Sequence, residues 1–234
     1  MDVRAFASSS SGNCYYISDG STPLLLDCGL AYREIQRLMN FRMSELIGVL
    51  VTHEHMDHAK AVKDVMKAGL DVFMSQGTAD ALEAASHRVK IIRAGEQFTL
   101  GTWTILPFDT VHDAAEPVGF LLASAVTGEK LLYLTDTAYC KYRFSGLTHI
   151  LAEANYSTDI LNGNVAAGAV PVELRNRLLH SHMSLETLKD MLRANDLSRV
   201  QRIWLIHLSN GNSDADRFKR EIAALTGKLV TVAG

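Results

Sequence analysis

The chain contains little cysteine, little proline and no long apolar run. Its three cysteines are odd in number and include no Cys-x-x-Cys pair, so buried or free reduced thiols are favoured over a disulfide framework. Only four prolines and no low-complexity segment occur, which argues against a linker-rich chain. No apolar run is long enough to cross a bilayer, and the first residues lack the apolar core of a signal peptide. The sequence therefore predicts a cytoplasmic protein without membrane contact.

The sequence also lacks an excess of positive charge. Its formal net charge is -3, so no global basic field would recruit a polyanion. An anionic substrate would have to be attracted by local lysine and arginine side chains or by bound cations. Because 47% of the residues are apolar, the chain can bury one large core. We expect a single domain that spans residues 1–234.

A dense group of metal-ligand side chains lies in one turn. The apolar, β-branched run 47–52 predicts a buried strand, and residues 53–58 then read His-Glu-His-Met-Asp-His. Imidazole and carboxylate are the groups that a borderline divalent metal binds at neutral pH. A surface loop that is rich in histidine by chance is the alternative. The density of ligands in so short a stretch favours the metal site.

Single ligand-type residues follow three later apolar strands, and they are His112, Asp136 and His207. Open sheets collect active sites at the carboxyl ends of their strands, so we expect these residues to lie beside the histidine turn. Seven ligands suit two divalent ions, with zinc as the first choice and manganese as the alternative. Asp136 is shared in this assignment, because a carboxylate can bridge two cations. The other ligands are His53, His55 and His112 for one ion, and Asp57, His58 and His207 for the other.

Three residues are candidates for catalytic roles beside the ions. Asp57 would orient a water molecule or hold its proton, and His182 would protonate the leaving oxygen, with Glu153 tuning its basicity. A capping or solvent-facing histidine is an equally good interpretation of His182. Asp27, at the end of an apolar strand, fits two roles equally well. It is either a hydrogen-bond acceptor for the histidine turn or the N-cap of a helix over 32–39.

Local patterns also predict where helices begin. The apolar spacing after the histidine turn predicts one helix over 59–66. Ser184 is the expected N-cap of a helix that runs to Ala194. The sequence Ser213-Asp214-Ala215-Asp216 resembles a capping box that opens a further helix.

Four basic and two aromatic residues are candidates for contacts with a nucleic-acid strand. The basic side chains would line a groove, and the aromatic rings would stack on bases. Ordinary solvated surface is the alternative for the cations, and packing is the alternative for the rings. These residues are Lys141, Arg143, Arg175, Arg177, Tyr139 and Tyr142.

The order of the predicted ligands resembles the metallo-β-lactamase superfamily. The pattern is His-x-His-x-Asp-His from residue 53, then a lone His112, a lone Asp136 and a late His207. The match extends over essentially the whole chain. The resemblance implies an α/β fold of the metallo-β-lactamase type, a four-layer αββα sandwich. Its two pseudo-repeated halves would join around Leu122 to Lys130.

Shorter stretches resemble the small nuclease branch of that superfamily, which includes the WalJ (YycJ) exonucleases and is related to RNase Z and RNase J. Where that branch reads Gly-His-Leu-Ser, this chain has Ser181-His182-Met183-Ser184, so the histidine is kept and the glycine is lost. The resembling stretches are Ser10-Ser11-Gly12-Asn13, Leu26-Asp27-Cys28-Gly29, His112-Asp113-Ala114, Glu116-Pro117-Val118-Gly119-Phe120 and Leu208-Ser209-Asn210.

This resemblance implies a metal-dependent hydrolase that acts as a phosphodiesterase or nuclease, similar to a 5'-exonuclease, on DNA or RNA. A hydroxide held by two metal ions would attack phosphorus. The same hydroxide could instead hydrolyse a thioester, a lactone or a cyclic nucleotide. A non-enzymatic scaffold with a degenerate site is a third possibility, and the complete ligand set argues against it.

Overall fold

A computed structural model of the chain describes residues 1–233. The chain divides into two compact units. The first comprises Met1–Asp109 and Ala114–Glu129, and the second comprises Thr110–Asp113 and Lys130–Ala233. The boundary after Glu129 lies within the stretch where two halves were predicted to join.

The first unit carries a six-stranded sheet in chain order, antiparallel from β1 to β3 and parallel from β3 to β6. Its strands are β1 (Asp2–Ser9), β2 (Gly12–Ser18), β3 (Pro23–Leu26), β4 (Val49–Leu50), β5 (Val72–Met74) and β6 (Val89–Ile91). The same unit contains the antiparallel strands β7 (Phe98–Leu100), β8 (Trp103–Asp109) and β9 (Val118–Ser124).

The second unit contributes four parallel strands. They are β10 (Lys130–Leu134), β11 (His149–Glu153), β12 (Arg202–Ile206) and β13 (Leu229–Val232). Parallel pairing directs the carboxyl ends of β10, β11 and β12 to one edge, where ligands commonly bind. Their residues are almost all buried, as expected for parallel strands covered on both faces.

Eight α-helices occur within residues 1–233. Those of the first unit are α1 (Tyr32–Leu38), α2 (Met56–Ala59), α3 (Val62–Lys67) and α4 (Gln76–Ala81), with a short 3₁₀ helix at Met43–Glu45. Those of the second are α5 (Thr158–Ala166), α6 (Val172–Ser181), α7 (Leu185–Ala194) and α8 (Ala215–Thr226). Over the same residues, no helix combines the length and the apolar character needed to cross a membrane.

The single helix predicted over 59–66 is wrong, because the chain forms α2 and α3 with a break between them. The amide of Ala61 donates to the carbonyl of Cys28 at 3.0 Å, instead of continuing the helical ladder. The carbonyl of His58 accepts from the amide of Cys28 at 2.8 Å. These bonds tie the segment after β3 to the histidine turn.

The two capping predictions have different outcomes. Ser184 accepts from the amide of Thr187 at 3.0 Å, so its role as the N-cap of α7 is confirmed. The predicted capping box at Ser213 is wrong. The N-cap of α8 is Asp214, whose Oδ1 accepts from the amide of Arg217 at 2.8 Å. The Ser213 hydroxyl instead donates to the carbonyl of Ser209 at 2.6 Å.

Asp19 links distant turns of the first unit. Its Oδ1 accepts from the amides of Ser21 and Thr22, at 3.0 and 2.9 Å. Its Oδ2 accepts from the hydroxyls of Thr102 and Ser124, at 2.6 and 2.7 Å. Burial acts to raise the pKa of Asp19, but the hydrogen bonds from Thr102 and Ser124 outweigh it and leave the pKa below its ordinary value.

We expect Asp19→Asn to destabilise the protein by about 1–2 kcal/mol near neutral pH, because hydrogen bonds to a charged acceptor are lost. A depressed folded-state pKa stabilises the fold above the unfolded pKa, and this contribution disappears as pH falls through the folded pKa. The difference between wild type and variant should therefore shrink as pH falls below the ordinary pKa of an aspartate, about 3.9. Urea unfolding at several pH values measures this difference in stability. Asp64→Asn, which changes an exposed residue of α3, is the control. A difference that persists unchanged at low pH would contradict this role.

Candidate metal centre

In the first unit, the buried strand β4 leads into the histidine turn, which continues as α2. His53 and His58 are buried, whereas His55 and Asp57 are half-buried. His53 Nε2 lies 3.1 Å from His55 Nδ1, and the ring centroids of His53 and His58 are 4.3 Å apart. Asp57 Oδ2 lies 3.5 Å from His58 Nε2. The turn thus brings its four predicted ligands together.

The contact between His53 and His55 has the spacing expected of two metal ligands. Zinc binds imidazole nitrogen at about 2.0–2.1 Å, so two nitrogens on one tetrahedral ion lie about 3.3 Å apart. The observed separation of 3.1 Å is close to that value. At this distance one neutral imidazole can also donate an N–H···N hydrogen bond to the other, and imidazole nitrogen is also a ligand atom that zinc binds. The donor set therefore fits a divalent cation.

Asp27 supports the turn from the end of β3. Its side chain is fully buried, and its Oδ2 lies 2.8 Å from His58 Nδ1. Its Oδ1 accepts from the amide of Thr52 at 2.8 Å and from the Thr52 hydroxyl at 3.0 Å. A carboxylate on Nδ1 fixes the imidazole so that Nε2 is presented to a metal. The acceptor role of Asp27 is confirmed, and the alternative is wrong because the N-cap of α1 is Ala31.

Asn13 also contacts this cluster, although no sequence pattern predicted a role for it. It is fully buried, and its Nδ2 lies 3.1 Å from His58 Nε2 and 3.5 Å from Asp57 Oδ2. Its carbonyl accepts from the amide of Gly29 at 2.8 Å. Gly29 cannot carry a side chain, because a Cβ there would lie 1.7 Å from the carbonyl oxygen of Asp57. The only prior signal was the resemblance of the stretch that contains Asn13 to the nuclease branch.

In the second unit, four ligand-type residues converge, three from the ends of neighbouring strands and one from the end of a helix. Asp136 follows β10, Glu153 ends β11, His207 follows β12, and His182 follows α6. One ligand atom from each lies within 4.8 Å of the others. Asp136, Glu153 and His207 are buried. Asp136 and His207 have left-handed backbones, with φ of 44° and 53°, which is uncommon for residues other than glycine and frequent at functional sites.

His112 lies beside this group, and Asp136 faces two histidines. His112 Nδ1 donates to the carbonyl of Ser181 at 2.7 Å, which leaves Nε2 as a potential ligand. His112 Nε2 is 3.5 Å from Asp136 Oδ2, and His207 Nε2 is 3.6 Å from Asp136 Oδ1. Burial lowers the pKa of His112, which favours the neutral, metal-binding form. The two oxygens of Asp136 therefore point to different imidazoles, as expected of a shared ligand.

His182 and Glu153 form a close pair. His182 Nδ1 lies 2.6 Å from Glu153 Oε1, while Glu153 Oε2 accepts from the amides of Thr137 and Met183 at 3.1 and 3.0 Å. Burial acts to lower the pKa of His182, but the carboxylate of Glu153 outweighs it and the pKa is raised. The His182 ring stacks on His207, with centroids 5.5 Å apart. His182 is the C-cap of α6, and its amide donates to the carbonyl of Leu178 at 3.0 Å, so the capping interpretation holds for its backbone. Its side chain faces Glu153, and its role as proton donor stays a prediction.

The candidate strand-binding residues lie in two places, α6 and the segment that follows Asp136. Arg177 Nε donates at 2.8 Å to Oδ2 of Asp113, which is the residue after His112. Arg175 Nη1 donates to Asn176 Oδ1 at 3.2 Å. Tyr139, Lys141 and Arg143 are exposed, and Tyr142 is half-buried. The last four residues belong to one irregular segment that follows Asp136.

Comparison with known proteins identifies the family of the chain. Residues 22–208 match the family model described as a beta-lactamase superfamily domain. The chain is 30% identical over 224 residues to the exodeoxyribonuclease WalJ of Streptococcus pneumoniae, covering 88% of this chain and 81% of that protein. It is 28% identical over 228 residues to the exodeoxyribonuclease YycJ of Bacillus anthracis, covering 91% and 84%.

Solved structures share the fold at low sequence identity. The metallo-beta-lactamase fold protein YhfI from Bacillus subtilis superposes with a TM-score of 0.72 and 15% identity, covering 99% of this chain and 95% of that one. The short form of human tRNase Z superposes with a TM-score of 0.65 and 15% identity, covering 100% and 96%. The predicted α/β fold class is therefore confirmed, with two sheets and the metallo-β-lactamase fold.

Proposed function

The chain belongs to the beta-lactamase superfamily, and from this premise we propose that it is a metal-dependent exonuclease that hydrolyses phosphodiester bonds in nucleic acid. One observation carries the proposal: a chain that aligns with WalJ over most of its length retains the complete ligand pattern. DNA is the substrate that the relatives' names indicate, with RNA as the alternative. The predicted cytoplasmic location stays a prediction.

We propose that the two units act as one domain that holds two divalent ions. Zinc is the ion we expect, and manganese is the alternative, because both accept imidazole and carboxylate ligands. Asp136 would be shared between the ions. We assign His53, His55 and His112 with Asp136 to the first ion, and Asp57, His58 and His207 with Asp136 to the second.

Bound at these residues, two divalent ions would supply positive charge for the phosphoryl oxygens and lower the pKa of a water molecule. The side chains would orient the water, hold its proton and fix the orientation of the ligands. Asp57 is half-buried beside His58, where its carboxylate can orient the attacking water and hold its proton. Asp27 keeps His58 in the tautomer that presents Nε2.

His182 would deliver the proton that the leaving oxygen requires. Its Nδ1 faces Glu153, which stabilises the imidazolium and leaves the Nε2 proton to be donated. Glu153 is itself held by the amides of Thr137 and Met183, so the pair has a fixed orientation. Glu153 acts through His182, and we regard it as a positioning residue.

A substrate panel tests the proposal. The purified chain, loaded with zinc or manganese, is offered 3'-labelled single-stranded DNA, RNA of the same sequence, bis(p-nitrophenyl) phosphate and a thioester. We expect stepwise shortening of DNA, slower shortening of RNA and no thioester hydrolysis. Asp57→Asn should abolish the activity and Asp64→Asn should retain it, which excludes a contaminating nuclease. Hydrolysis of the thioester alone would overturn the phosphodiesterase assignment.

A further inference from the structure

The segment that follows Asp136 in the second unit has an unusual composition. Residues 137–146 contain three aromatic and two basic residues and no acidic residue, in a chain whose net charge is -3. From Tyr139 to Phe144 the backbone forms no helix, turn or paired strand. Exposure alternates along it, because Tyr139, Lys141 and Arg143 are exposed and the residues between them are half-buried. Such alternation is that of an extended chain, in which residues two apart lie about 6.6 Å from each other.

This segment is fixed at both ends, and its first end is attached to residues beside the predicted ligands. The amide of Thr137 donates to Glu153 Oε2 at 3.1 Å, and its hydroxyl donates to the carbonyl of Tyr139 at 2.8 Å. The same hydroxyl accepts from the amide of Val111 at 2.9 Å, next to His112. At the far end, the amide of Phe144 donates to Asn195 Oδ1 at 2.7 Å. A segment fixed in this way loses little entropy when it binds a ligand.

The half-buried residues form the inner face of the segment. The rings of Tyr142 and Phe144 lie 6.4 Å apart, and the Cys140 thiol donates to the carbonyl of Tyr142 at 3.8 Å. Packing therefore accounts for the inner aromatic residues. Tyr139 differs, because 51% of its surface is exposed although its backbone is fixed three residues after Asp136. Packing does not explain why an aromatic ring stands exposed there, followed on the same face by two cations.

We propose that residues 139–143 form a binding surface for single-stranded nucleic acid, which rests on the proposed function. Tyr139 stacks on the base of a nucleotide next to the scissile bond, and Lys141 and Arg143 bind phosphates farther along the strand. Every base has a face that an aromatic ring can cover, so this mode of binding tolerates any sequence. The local cations supply the attraction that the acidic chain as a whole does not.

Tyr139 is tested with oligonucleotides that carry an abasic site at one of the terminal positions. We expect Tyr139→Ala to raise KM for a normal strand by about 5- to 100-fold, and Tyr139→Phe to remain near wild type. An abasic site at the stacked position should raise the KM of wild type by the same factor. It should not raise the KM of Tyr139→Ala any further. Phe41→Ala, which removes an exposed ring of the first unit, is the matched control and should not change KM. Melting temperatures verify that the variants fold.

The cations are tested by binding. A fluorescein-labelled strand with phosphorothioate linkages resists cleavage, so its affinity can be followed by anisotropy at several salt concentrations. Lys141→Ala and Arg143→Ala should each reduce the slope of log K against log salt by about 0.7, whatever the base sequence. Lys63→Ala on α3 is the control, and its slope should equal that of wild type.

The results separate this inference from the proposed function. Binding that depends on Tyr139 and on the two cations, without cleavage, would support the surface and overturn the exonuclease. Cleavage by wild type and all variants alike, with equal discrimination against the abasic strand and equal salt slopes, would overturn the surface and leave the exonuclease intact. A strand that is neither bound nor cleaved would overturn both.

Discussion

Asp136→Ala is expected to release both metal ions and to reduce hydrolysis by at least about 10³-fold, because the water whose pKa the ions lower would no longer be activated. The two carboxylate oxygens of Asp136 face different imidazoles, His112 at 3.5 Å and His207 at 3.6 Å. Removal of this one side chain therefore deprives both proposed ions of a ligand. Metal content, measured by mass spectrometry after gel filtration, and the rate on single-stranded DNA are the two readouts.

Comparison with His53→Ala makes this test specific. His53 is assigned to one ion only, so its replacement should cost about one equivalent of metal, whereas Asp136→Ala should cost about two. Asp64→Ala, which removes an exposed carboxylate on α3, should retain both ions and full activity. Equal metal loss in Asp136→Ala and His53→Ala would contradict the sharing of Asp136. Full metal content and normal turnover in Asp136→Ala would contradict the metal centre itself.

His182→Ala is expected to slow the cleavage of DNA by about 10²- to 10⁴-fold while the protein keeps its metal ions. His182 Nδ1 lies 2.6 Å from Glu153, so the imidazole is oriented as a donor of its second proton. An alkoxide leaves poorly without a proton, whereas p-nitrophenolate leaves readily. The loss on bis(p-nitrophenyl) phosphate should therefore be much smaller than the loss on DNA.

The leaving-group dependence distinguishes proton donation from a structural role. If His182 only supported the fold, both substrates would be slowed to the same extent. His180→Ala removes an exposed histidine of α6 and serves as the control, with no expected change on either substrate. Loss of metal from His182→Ala to the same degree as from His53→Ala would refute the separate roles of the two residues.

The sequence predicted the parts of the site that follow strong local patterns. The histidine turn could be recognised because four predicted metal ligands follow one buried strand. His112, Asp136 and His207 could be recognised because each ends an apolar run. Such patterns are local in sequence, and parallel pairing gathers the ends of β10 and β12, which carry Asp136 and His207, without further information.

The parts that could not be predicted depend on contacts between distant residues. Asn13 lies 45 positions before His58, and its type and neighbours carry no metal-binding pattern. Asp27 fitted an N-cap as well as an acceptor, and only its distance to His58 decides between them. The break between α2 and α3 depends on a bond from Ala61 to Cys28, whereas helical spacing alone predicted a continuous helix.

The left-handed backbones at Asp27, Asp136 and His207 limit which amino acids can serve there. Among residues other than glycine, asparagine, aspartate and histidine are several-fold enriched in that conformation, and the last two are strong metal ligands. Glutamate is not among these enriched residues, although Glu83 adopts a φ of 49° in this chain, so at position 136 it would keep the charge on a less favoured backbone. The choice of aspartate over glutamate is therefore made by the main chain as much as by the cation, and a swap between the two acids is not conservative.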